Sequence, residues 1–329
     1  MLSVKNKESQ NTKPLVSICI PTYNSAEFLR EMLDSIVNQT YKNIEVIISD
    51  NASSDNTAEI AGEYAEKYDF SFSINEKNIG AGNNFNKLID LAQGEYIAIY
   101  HADDIYKPAI IAESVRALNS DEKTGFVGTM ANVIDDKGNY LYDYFLPPYL
   151  KTLEKSSYNF EELYFSIIKA KINSLAFVTP SIMIKRKVYE TVGKFIVSDV
   201  YKSAGDYELW LRISRKFNFA VIDKKLMSYR IHPGQGSEHE CRQNIDIPDI
   251  IAVLEKYKNY LTDNYIINQA DMYINSTILG VAFKQNSFRH FDKSLESLKM
   301  VKYKRLKDPF YKLILYFANI FKIIVIKTR

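Results

Sequence analysis

Cysteine is nearly absent from this chain of 329 residues, which contains only Cys19 and Cys241. Two cysteines do not make a disulfide framework, and Cys19 lies in an apolar run where a small buried side chain is expected. The segment 1–13 is polar and lacks the apolar core of a signal peptide. We therefore expect a protein of the reducing cytoplasm with a disordered lead-in over residues 1–13.

Net charge is also small. The chain has 42 Lys and Arg residues and 40 Asp and Glu residues, a formal net charge of +2, which argues against a general nucleic-acid binder. However, residues 297–329 contain nine basic side chains and one acidic one, a local charge of +8, so the first 296 residues carry −6. A mildly acidic body with a basic tail indicates a charged partner surface for the tail.

Two glycine-rich phosphate motifs are missing. The dinucleotide fingerprint G-x-G-x-x-G does not follow the first predicted strand, and G-x-x-x-x-G-K-[ST] occurs nowhere in the chain. Any bound phosphate must therefore be neutralised by other groups. There is no internal repeat, and a composition of 46% hydrophobic and 25% charged residues is typical of a globular protein with a sizeable core.

What the sequence does contain is an alternation of strand-like and helix-like segments from Pro14 onward. It predicts right-handed crossovers and a mainly parallel sheet. The predicted strands are 15–20, 44–48, 70–74 and 96–100, and the predicted helices are 26–38, 57–68 and 86–93. Beyond Gly128 the pattern predicts a long loop or insertion over 140–158, a helix over 160–169, a strand over 177–184, a helix over 206–216 and a strand over 220–229. The residues after Cys241 are expected to be helical.

Polar loops follow three of these strands, at 21–24, 50–55 and 101–104. Ligands of such sheets bind at the carboxyl ends of the strands, so we expect the three loops to converge on one crevice. Asp103 and Asp104 are adjacent in the third loop, and the repulsion between two carboxylates is commonly offset by a cation such as Mg²⁺ or Mn²⁺. The alternative role for this pair is to cap a following helix.

Five motifs follow one another along the chain: 21–24, 49–55, Asn78 with Gly80, 94–97 continuing into 102–104, and 205–212. Over about residues 14–240 the chain resembles a family 2 glycosyltransferase of the GT-A fold, of the type that builds bacterial surface polysaccharides. The resemblance implies an α/β catalytic domain over 14–240, with a mainly parallel mixed sheet flanked by helices. Residues 241–329 are then expected to form a helical C-terminal region with a basic amphipathic tail.

The resemblance also implies a binding site for a nucleoside-diphosphate sugar. The Tyr23 ring is expected to pack on the base and Asp50 to hydrogen-bond it, with a turn-stabilising role as the alternative for Asp50. The residues implied for donor binding are Pro21, Thr22, Tyr23, Asn24, Asp50, Asn78, Gly80, Asn86, Ala102, Asp103 and Arg230. The implied ligands of Mn²⁺ or Mg²⁺ are Asp103, Asp104 and His232. For the segment around His232, a simple Pro-Gly turn is the alternative.

Asp206 matches the catalytic base of an inverting transferase, which takes the proton from the acceptor hydroxyl. Its alternative role is that of an N-cap, because it opens a predicted helix. Trp210 is expected either to form the floor of the acceptor pocket or to belong to the hydrophobic core. Three positions depart from the family's pattern, because His101, Phe85 and Gly205 stand where many relatives have Asp, Arg and Glu.

The implied activity is transfer of a sugar from a UDP- or dTDP-sugar to a hydroxyl of a surface-glycan or lipid-linked acceptor. Two other interpretations are open. A nucleotidyltransferase would require a glycine-rich, basic loop near the first strand, which 21–24 does not provide. A non-catalytic glycan-binding or scaffold protein would have a degenerate site and would show no metal-linked binding of UDP.

The tail over 309–327 is largely apolar, and Lys312, Asn319 and Lys322 share one narrow stripe on a helix. These polar interruptions disfavour a membrane-spanning helix. We expect instead a peripheral helix at the inner face of the cytoplasmic membrane, with the basic residues of 299–307 on anionic headgroups. A core helix or a homodimer helix is the alternative.

Overall fold

The computed structural model describes residues 13–171, 173–201, 203–235, 246–302 and 307–325. The expected lead-in lies outside them except for Lys13, and so do Cys241 and the expected boundary between residues 240 and 241. The described residues form nine strands in one sheet. They are β1 (Val16–Thr22), β2 (Ile44–Asp50), β3 (Ser71–Ile74), β4 (Tyr96–Ile99), β5 (Ile105–Tyr106), β6 (Thr124–Ile134), β7 (Tyr140–Asp143), β8 (Met183–Lys185) and β9 (Asn218–Arg230).

The same residues form twelve α-helices. They are α1 (Ala26–Val37), α2 (Thr57–Tyr68), α3 (Ala81–Leu91), α4 (Ile110–Asn119), α5 (Pro148–Lys151), α6 (Phe160–Lys169), α7 (Arg186–Val192), α8 (Gly205–Ser214), α9 (Ile250–Lys258), α10 (Asn264–Ser287), α11 (Phe291–Met300) and α12 (Lys307–Ile320).

The first part of the sheet is parallel, in the order β3-β2-β1-β4. Both of its faces are buried, because Cys19 and Ile47 belong to one hydrophobic cluster while Ile18 and Ile48 belong to the other. Such two-sided burial is what near-continuous apolar strands require. The predicted alternation of strands and helices in this part is confirmed, and Cys19 is buried as expected.

The second part of the sheet mixes strand directions, in the order β4-β8-β6-β9-β5. β8 runs antiparallel to β4 and β6, and β5 runs antiparallel to β9. β6 and β9 are long and parallel, and they bring Ile134 next to Arg230 at their carboxyl ends. The result is the mixed sheet that the sequence predicts. Its antiparallel pairs lie in the second part of the sheet, which begins with the pair of β4 and β8.

Three segments differ from the prediction. The expected loop over 140–158 contains β7 and α5. β7 pairs with β6 because a tight turn joins the two strands, and in this turn the side chain of Asp135 accepts backbone N–H groups. α3 begins at Ala81 instead of residue 86, directly after Gly80 at φ 82°. The expected strand over 177–184 is interrupted by a 3-10 helix at Thr179–Ser181, since proline cannot donate a ladder hydrogen bond.

Beyond residue 246 the described chain is helical, as predicted. The carboxylate of Glu208 on α8 is buried and accepts hydrogen bonds from Arg212 Nε (3.1 Å), Lys256 Nζ (2.9 Å) and Tyr257 Oη (2.8 Å). Burial by itself would raise the pKa of Glu208, but these donors outweigh it and lower that pKa. The network fastens α9 to the helix that carries Asp206.

α12 packs against α10 and α11 with a partly polar face. Asn319 is buried and bonds Asn286 (2.6 Å) and Ser294 (2.7 Å), and Lys312 donates to the carbonyl of Val301 (3.0 Å). The opposite face exposes large apolar side chains: Phe310, Leu313, Phe317 and Ile320. In the described part of the chain no helix is both long and apolar enough to cross a bilayer.

Candidate functional site

The loops after β1 and β2 form one interlocked surface, because these strands are parallel neighbours. The backbone N–H of Asn24 donates to Ser53 Oγ (2.9 Å), and the N–H of Ser54 donates to Asn24 Oδ1 (2.9 Å). Asn24 adopts a left-handed backbone at φ 48°. Pro21 and Thr22 form the end of β1 below this surface.

Asp50 and Tyr23 lie at different depths in this surface. Asp50 is fully buried, and its carboxylate accepts hydrogen bonds from Thr22 Oγ1 (3.0 Å), Ser53 N (2.9 Å) and Ser53 Oγ (2.5 Å). These are the bonds of a turn-stabilising aspartate. The Tyr23 ring, by contrast, is half exposed and offers a flat surface to a ligand.

A cluster of asparagine side chains, which the sequence pattern did not predict, supports the loop after β3. Asn51 Nδ2 donates to Asn78 Oδ1 (2.8 Å), and Asn75 Nδ2 donates to both Asn51 Oδ1 (3.0 Å) and Asn84 Oδ1 (3.1 Å). Asn78 Oδ1 also accepts the N–H of Gly80 (2.8 Å). The signal that could have revealed the cluster is the density of asparagine between residues 75 and 86.

His101, Asp103 and Asp104 form an acidic centre after β4. One ligand atom from each lies within 4.8 Å of the others. Oδ1 of the buried Asp104 accepts the N–H of Arg230 (2.9 Å), whereas its Oδ2 has no partner among the described residues. A buried carboxylate oxygen without a partner, beside two further donor groups, fits a divalent cation.

Neither aspartate of this centre caps a helix. α4 begins only at Ile110, and its N-cap residue is Ala109. The capping alternative for Asp103 and Asp104 is therefore excluded. Ala102, between His101 and the pair, is buried and keeps the loop close to the sheet.

The two aspartates differ in proton affinity. Burial raises the pKa of Asp104 well above its ordinary value, and the neighbouring Asp103 raises it further. Burial also acts on Asp103, but the hydrogen bond with His232 and the nearby His101 outweigh it and lower the pKa of Asp103. A bound cation would favour the ionised form of both carboxylates.

Arg230 and His232, from the end of β9, hold this centre in place. His232 Nε2 lies 3.1 Å from Asp103 Oδ2. The guanidinium of Arg230 is buried and donates to the carbonyls of Asp103 (2.9 Å) and Asp135 (3.2 Å) and to Glu31 Oε2 (2.5 Å). A phosphate contact from Arg230 would require exchange of these bonds, whereas His232 already contacts a candidate metal ligand.

Asp206 lies in the wall of a narrow, mostly apolar pocket that it shares with His101, Tyr189 and Trp210. It belongs to the first turn of α8, whose N-cap is Ala204 without a side-chain cap, so the capping alternative is excluded. No hydrogen bond from the described residues reaches its carboxylate. Burial raises the pKa of Asp206, and His101 offsets part of this effect. Such a carboxylate is suited to accept a proton.

Asn86 and Phe85 shape the same pocket from α3. The amide of Asn86 pairs with the backbone of Phe195 in both directions, at 2.9 Å and 3.0 Å. The Phe85 ring stacks on His101 at 6.2 Å between centroids. Asn86 therefore acts on the pocket by positioning the segment after α7.

Trp210 completes the pocket wall on α8, and Gly205 is the first residue of this helix. Trp210 is buried and stacks on Phe126 at 5.6 Å, and its Nε1 has no hydrogen-bond partner among the described residues. It thus belongs to the core and lines the pocket as well. A Cβ atom added at Gly205 would meet no heavy atom of the described residues within 4 Å, and nothing in these residues explains this departure from the family's pattern.

Comparisons with known proteins agree with this geometry. The family model of glycosyl transferase family 2 matches residues 17–193. The chain is 32% identical to the uncharacterized glycosyltransferase MJ1057 of Methanocaldococcus jannaschii over 223 residues, which is 67% of this chain and 71% of that protein.

Two solved structures share the fold. TarS of S. aureus, residues 1–349 in complex with UDP-GlcNAc, superposes with a TM-score of 0.62 at 15% identity over 94% of this chain and 92% of its own. The mannosyltransferase PcManGT of Pyrobaculum calidifontis, in complex with GDP-Man and Mn²⁺, superposes with a TM-score of 0.57 at 17% identity. The superposition covers 94% of this chain and 88% of the mannosyltransferase chain. The GT-A architecture expected from the sequence is confirmed by these likenesses.

Proposed function

This chain belongs to glycosyltransferase family 2 and is an enzyme that transfers sugar, and we propose that it is an inverting, metal-dependent transferase with Asp206 as its general base. The observation that carries the proposal is the Asp206 carboxylate, which lies in the pocket beside His101 and receives no hydrogen bond from the part of the chain that the structure describes. An acceptor hydroxyl in this pocket would give its proton to Asp206 while its oxygen attacks the anomeric carbon. The bond from that carbon to the diphosphate oxygen breaks on the opposite side, which inverts the configuration.

The proposed donor is a nucleoside-diphosphate sugar, with UDP or dTDP as the nucleotide. The half-exposed ring of Tyr23 is available to stack on the base. Asp50 and the asparagine cluster around Asn78 and Gly80 support this surface from below. Arg230 contributes by fixing the loop that carries Asp103.

The residues proposed to hold Mn²⁺ or Mg²⁺ are Asp103, Asp104 and His232. They fit the cation because Asp104 Oδ2 is buried and has no partner among the residues that the structure describes, and because His232 contacts Asp103. When bound, the cation supplies positive charge that stabilises the departing diphosphate. Among the described residues, His101 is the histidine that lies within 4.8 Å of both carboxylates, whereas His232 is joined to the centre through its contact with Asp103.

The test of the mechanism is Asp206→Asn, compared with Asp223→Asn, a substitution of an exposed aspartate on β9. Nucleotide sugars are screened for metal-dependent hydrolysis and transfer, and the affinity for UDP is measured by calorimetry with and without Mn²⁺. We expect Asp206→Asn to lower transfer about 100-fold or more with unchanged UDP affinity, and Asp223→Asn to leave both unchanged. Transfer at the wild-type rate in Asp206→Asn would disprove the base assignment. A wild-type chain that binds UDP without linkage to Mn²⁺ would disprove the metal-dependent mechanism.

We further propose that the acceptor is a surface glycan, free or lipid-linked, and that the enzyme is peripheral at the inner face of the cytoplasmic membrane. The support is α12, whose outward face exposes Phe310, Leu313 and Phe317, next to the exposed Lys299 and Lys302. An apolar face with a basic border is suited to a bilayer with anionic headgroups. The same face would also suit the interface of a homodimer, so the test must distinguish membrane binding from dimer formation.

Flotation with vesicles tests this location. We expect the wild-type chain to float with vesicles that contain phosphatidylglycerol and to be released by salt, and not to float with pure phosphatidylcholine. The double variant Leu313→Ser, Phe317→Ser should stay in the soluble fraction, whereas Phe288→Ser, at an exposed position outside α12, should float like the wild type. A wild-type chain that floats with neither vesicle but sediments as a dimer would show that the face is a homodimer interface.

A further inference from the structure

A row of tyrosines on β7 lies close to the proposed active site. Tyr142 and Tyr144 occupy alternate positions, so their side chains project from one face of the hairpin that β7 forms with β6, whereas a bulge between Tyr140 and Tyr142 breaks this alternation. The rings of Tyr142 and Tyr144 are in edge contact at 5.7 Å, and the Tyr144 ring contacts Tyr229 of β9 at 6.1 Å. The row therefore continues from the hairpin onto β9.

Arg230 joins this hairpin to the acidic centre. Its guanidinium donates to the carbonyls of Asp135 and Asp136 in the hairpin turn, and also to the carbonyl of Asp103. Tyr229, which contacts Tyr144, directly precedes Arg230 in the chain. One end of the tyrosine row is thus fixed next to the candidate metal ligands.

The acidic centre and the pocket of the candidate base lie side by side. His101 belongs to the acidic centre with Asp103 and Asp104, and it also lines the pocket of Asp206. The tyrosine row, which Arg230 joins to the acidic centre, therefore lies beside both the metal side and the base side of the site.

We propose that Tyr142 and Tyr144 form a platform that binds the sugar ring of a saccharide acceptor, a proposal that rests on the proposed role of Asp206. A sugar ring has an apolar face of C–H groups and a rim of hydroxyls. The negative face of an aromatic ring attracts C–H groups, and the phenol hydroxyls pair with the sugar hydroxyls. A hydrocarbon chain would displace the water that is bound to the phenol hydroxyls, and it could not form hydrogen bonds in place of that water. The platform therefore favours the saccharide over a lipid chain.

The test uses the p-nitrophenyl β-glycosides of glucose, galactose and N-acetylglucosamine as acceptor probes, titrated by NMR into the full chain with UDP and Mn²⁺. The variants are Tyr142→Ala, which removes the ring, and Tyr142→Phe, which keeps it. Tyr265→Ala on α10 is the control for an exposed tyrosine elsewhere. UDP affinity is measured for each variant by calorimetry.

We expect Tyr142→Ala to weaken binding of the glycosides about tenfold, while Tyr142→Phe retains most of the affinity and Tyr265→Ala retains all of it. UDP affinity should be unchanged in the three variants. Equal glycoside affinity in Tyr142→Ala and the wild type, or no glycoside binding by a wild-type chain that binds UDP, would overturn the platform. Glycoside binding that depends on Tyr142 in a chain that does not bind UDP would instead overturn the donor proposal and leave the platform standing.

Discussion

His232 Nε2 lies 3.1 Å from Asp103 Oδ2, although the two residues are 129 positions apart in the chain. The contact exists because the end of β9 lies against the loop after β4, where the backbone N–H of Arg230 also donates to Asp104 (2.9 Å). The metal-side carboxylates are therefore oriented by β9 as well as by their own loop.

This contact predicts that His232 contributes to binding of the cation. His232→Ala should weaken Mn²⁺ binding in the presence of UDP about tenfold or more, and Asp103→Asn should abolish it. Calorimetry measures both effects. His290→Ala, which changes an exposed histidine at the start of α11, should leave Mn²⁺ affinity unchanged. If His232→Ala bound Mn²⁺ as tightly as the wild type, His232 would have no role at the metal.

Arg230 is expected to be the main stabilising residue of the site. Its removal leaves the partly buried carbonyls of Asp103 and Asp135 without this donor. Arg230→Met should therefore lower the free energy of unfolding by about 3 kcal/mol, whereas Arg30→Met, which breaks an exposed pair with Glu63, should lower it far less. Urea denaturation measures both. Equal costs for the two variants would show that the Arg230 hydrogen bonds do not hold the site together.

The first part of the fold was predictable from local periodicity. Buried parallel strands and amphipathic helices leave clear signals, and residues 15–100 contain them in regular alternation. The positions of Asp103 and Asp206 followed from motifs that are short and contiguous in the sequence. Their use as helix caps could be rejected only after the true helix starts, at Ile110 and after Ala204, were known.

The contacts between distant segments were not predictable in the same way. The asparagine cluster pairs Asn51 with Asn78 and Asn75 with Asn84, and side-chain pairs of this kind leave no periodic signal. The orientation of α12 is a second example. A helical projection places Asn319 on a polar stripe, but it does not reveal that Asn286 and Ser294 offer partners on the protein side.

Burial of Asp206 predicts a pH dependence of stability. Because burial raises the pKa of Asp206, the folded chain binds this proton more tightly than the unfolded chain. The contribution of Asp206 to stability is therefore present at low pH and is lost as the pH rises from the ordinary aspartate range through the raised pKa. Asp206→Asn should be more stable than the wild type at neutral pH, and this difference should shrink as the pH is lowered below that range.

Thermal unfolding of the two chains across this pH range measures the effect, with Asp223→Asn as the exposed control. A stability difference that stayed constant with pH would contradict the raised pKa. The same raised pKa predicts that the acid limb of the transfer rate lies at a higher pH than an ordinary aspartate would give, because the base must be ionised to act.

The attachment of α12 is predicted to depend on Asn319. The side chain of this buried residue accepts from Asn286 Nδ2 and donates to Ser294 Oγ, so Asn319→Ala removes two buried hydrogen bonds at a cost of about 1–3 kcal/mol. If α12 detaches locally, amide hydrogen exchange in residues 307–325 should accelerate about tenfold or more, while exchange in the β-sheet stays unchanged. Tyr316→Ala, which truncates an exposed side chain on the same helix, should change exchange far less. Mass spectrometry of exchanged peptides measures both variants, and equal exchange in Asn319→Ala and the wild type would mean that Leu315 and the other apolar contacts hold the helix without the asparagine.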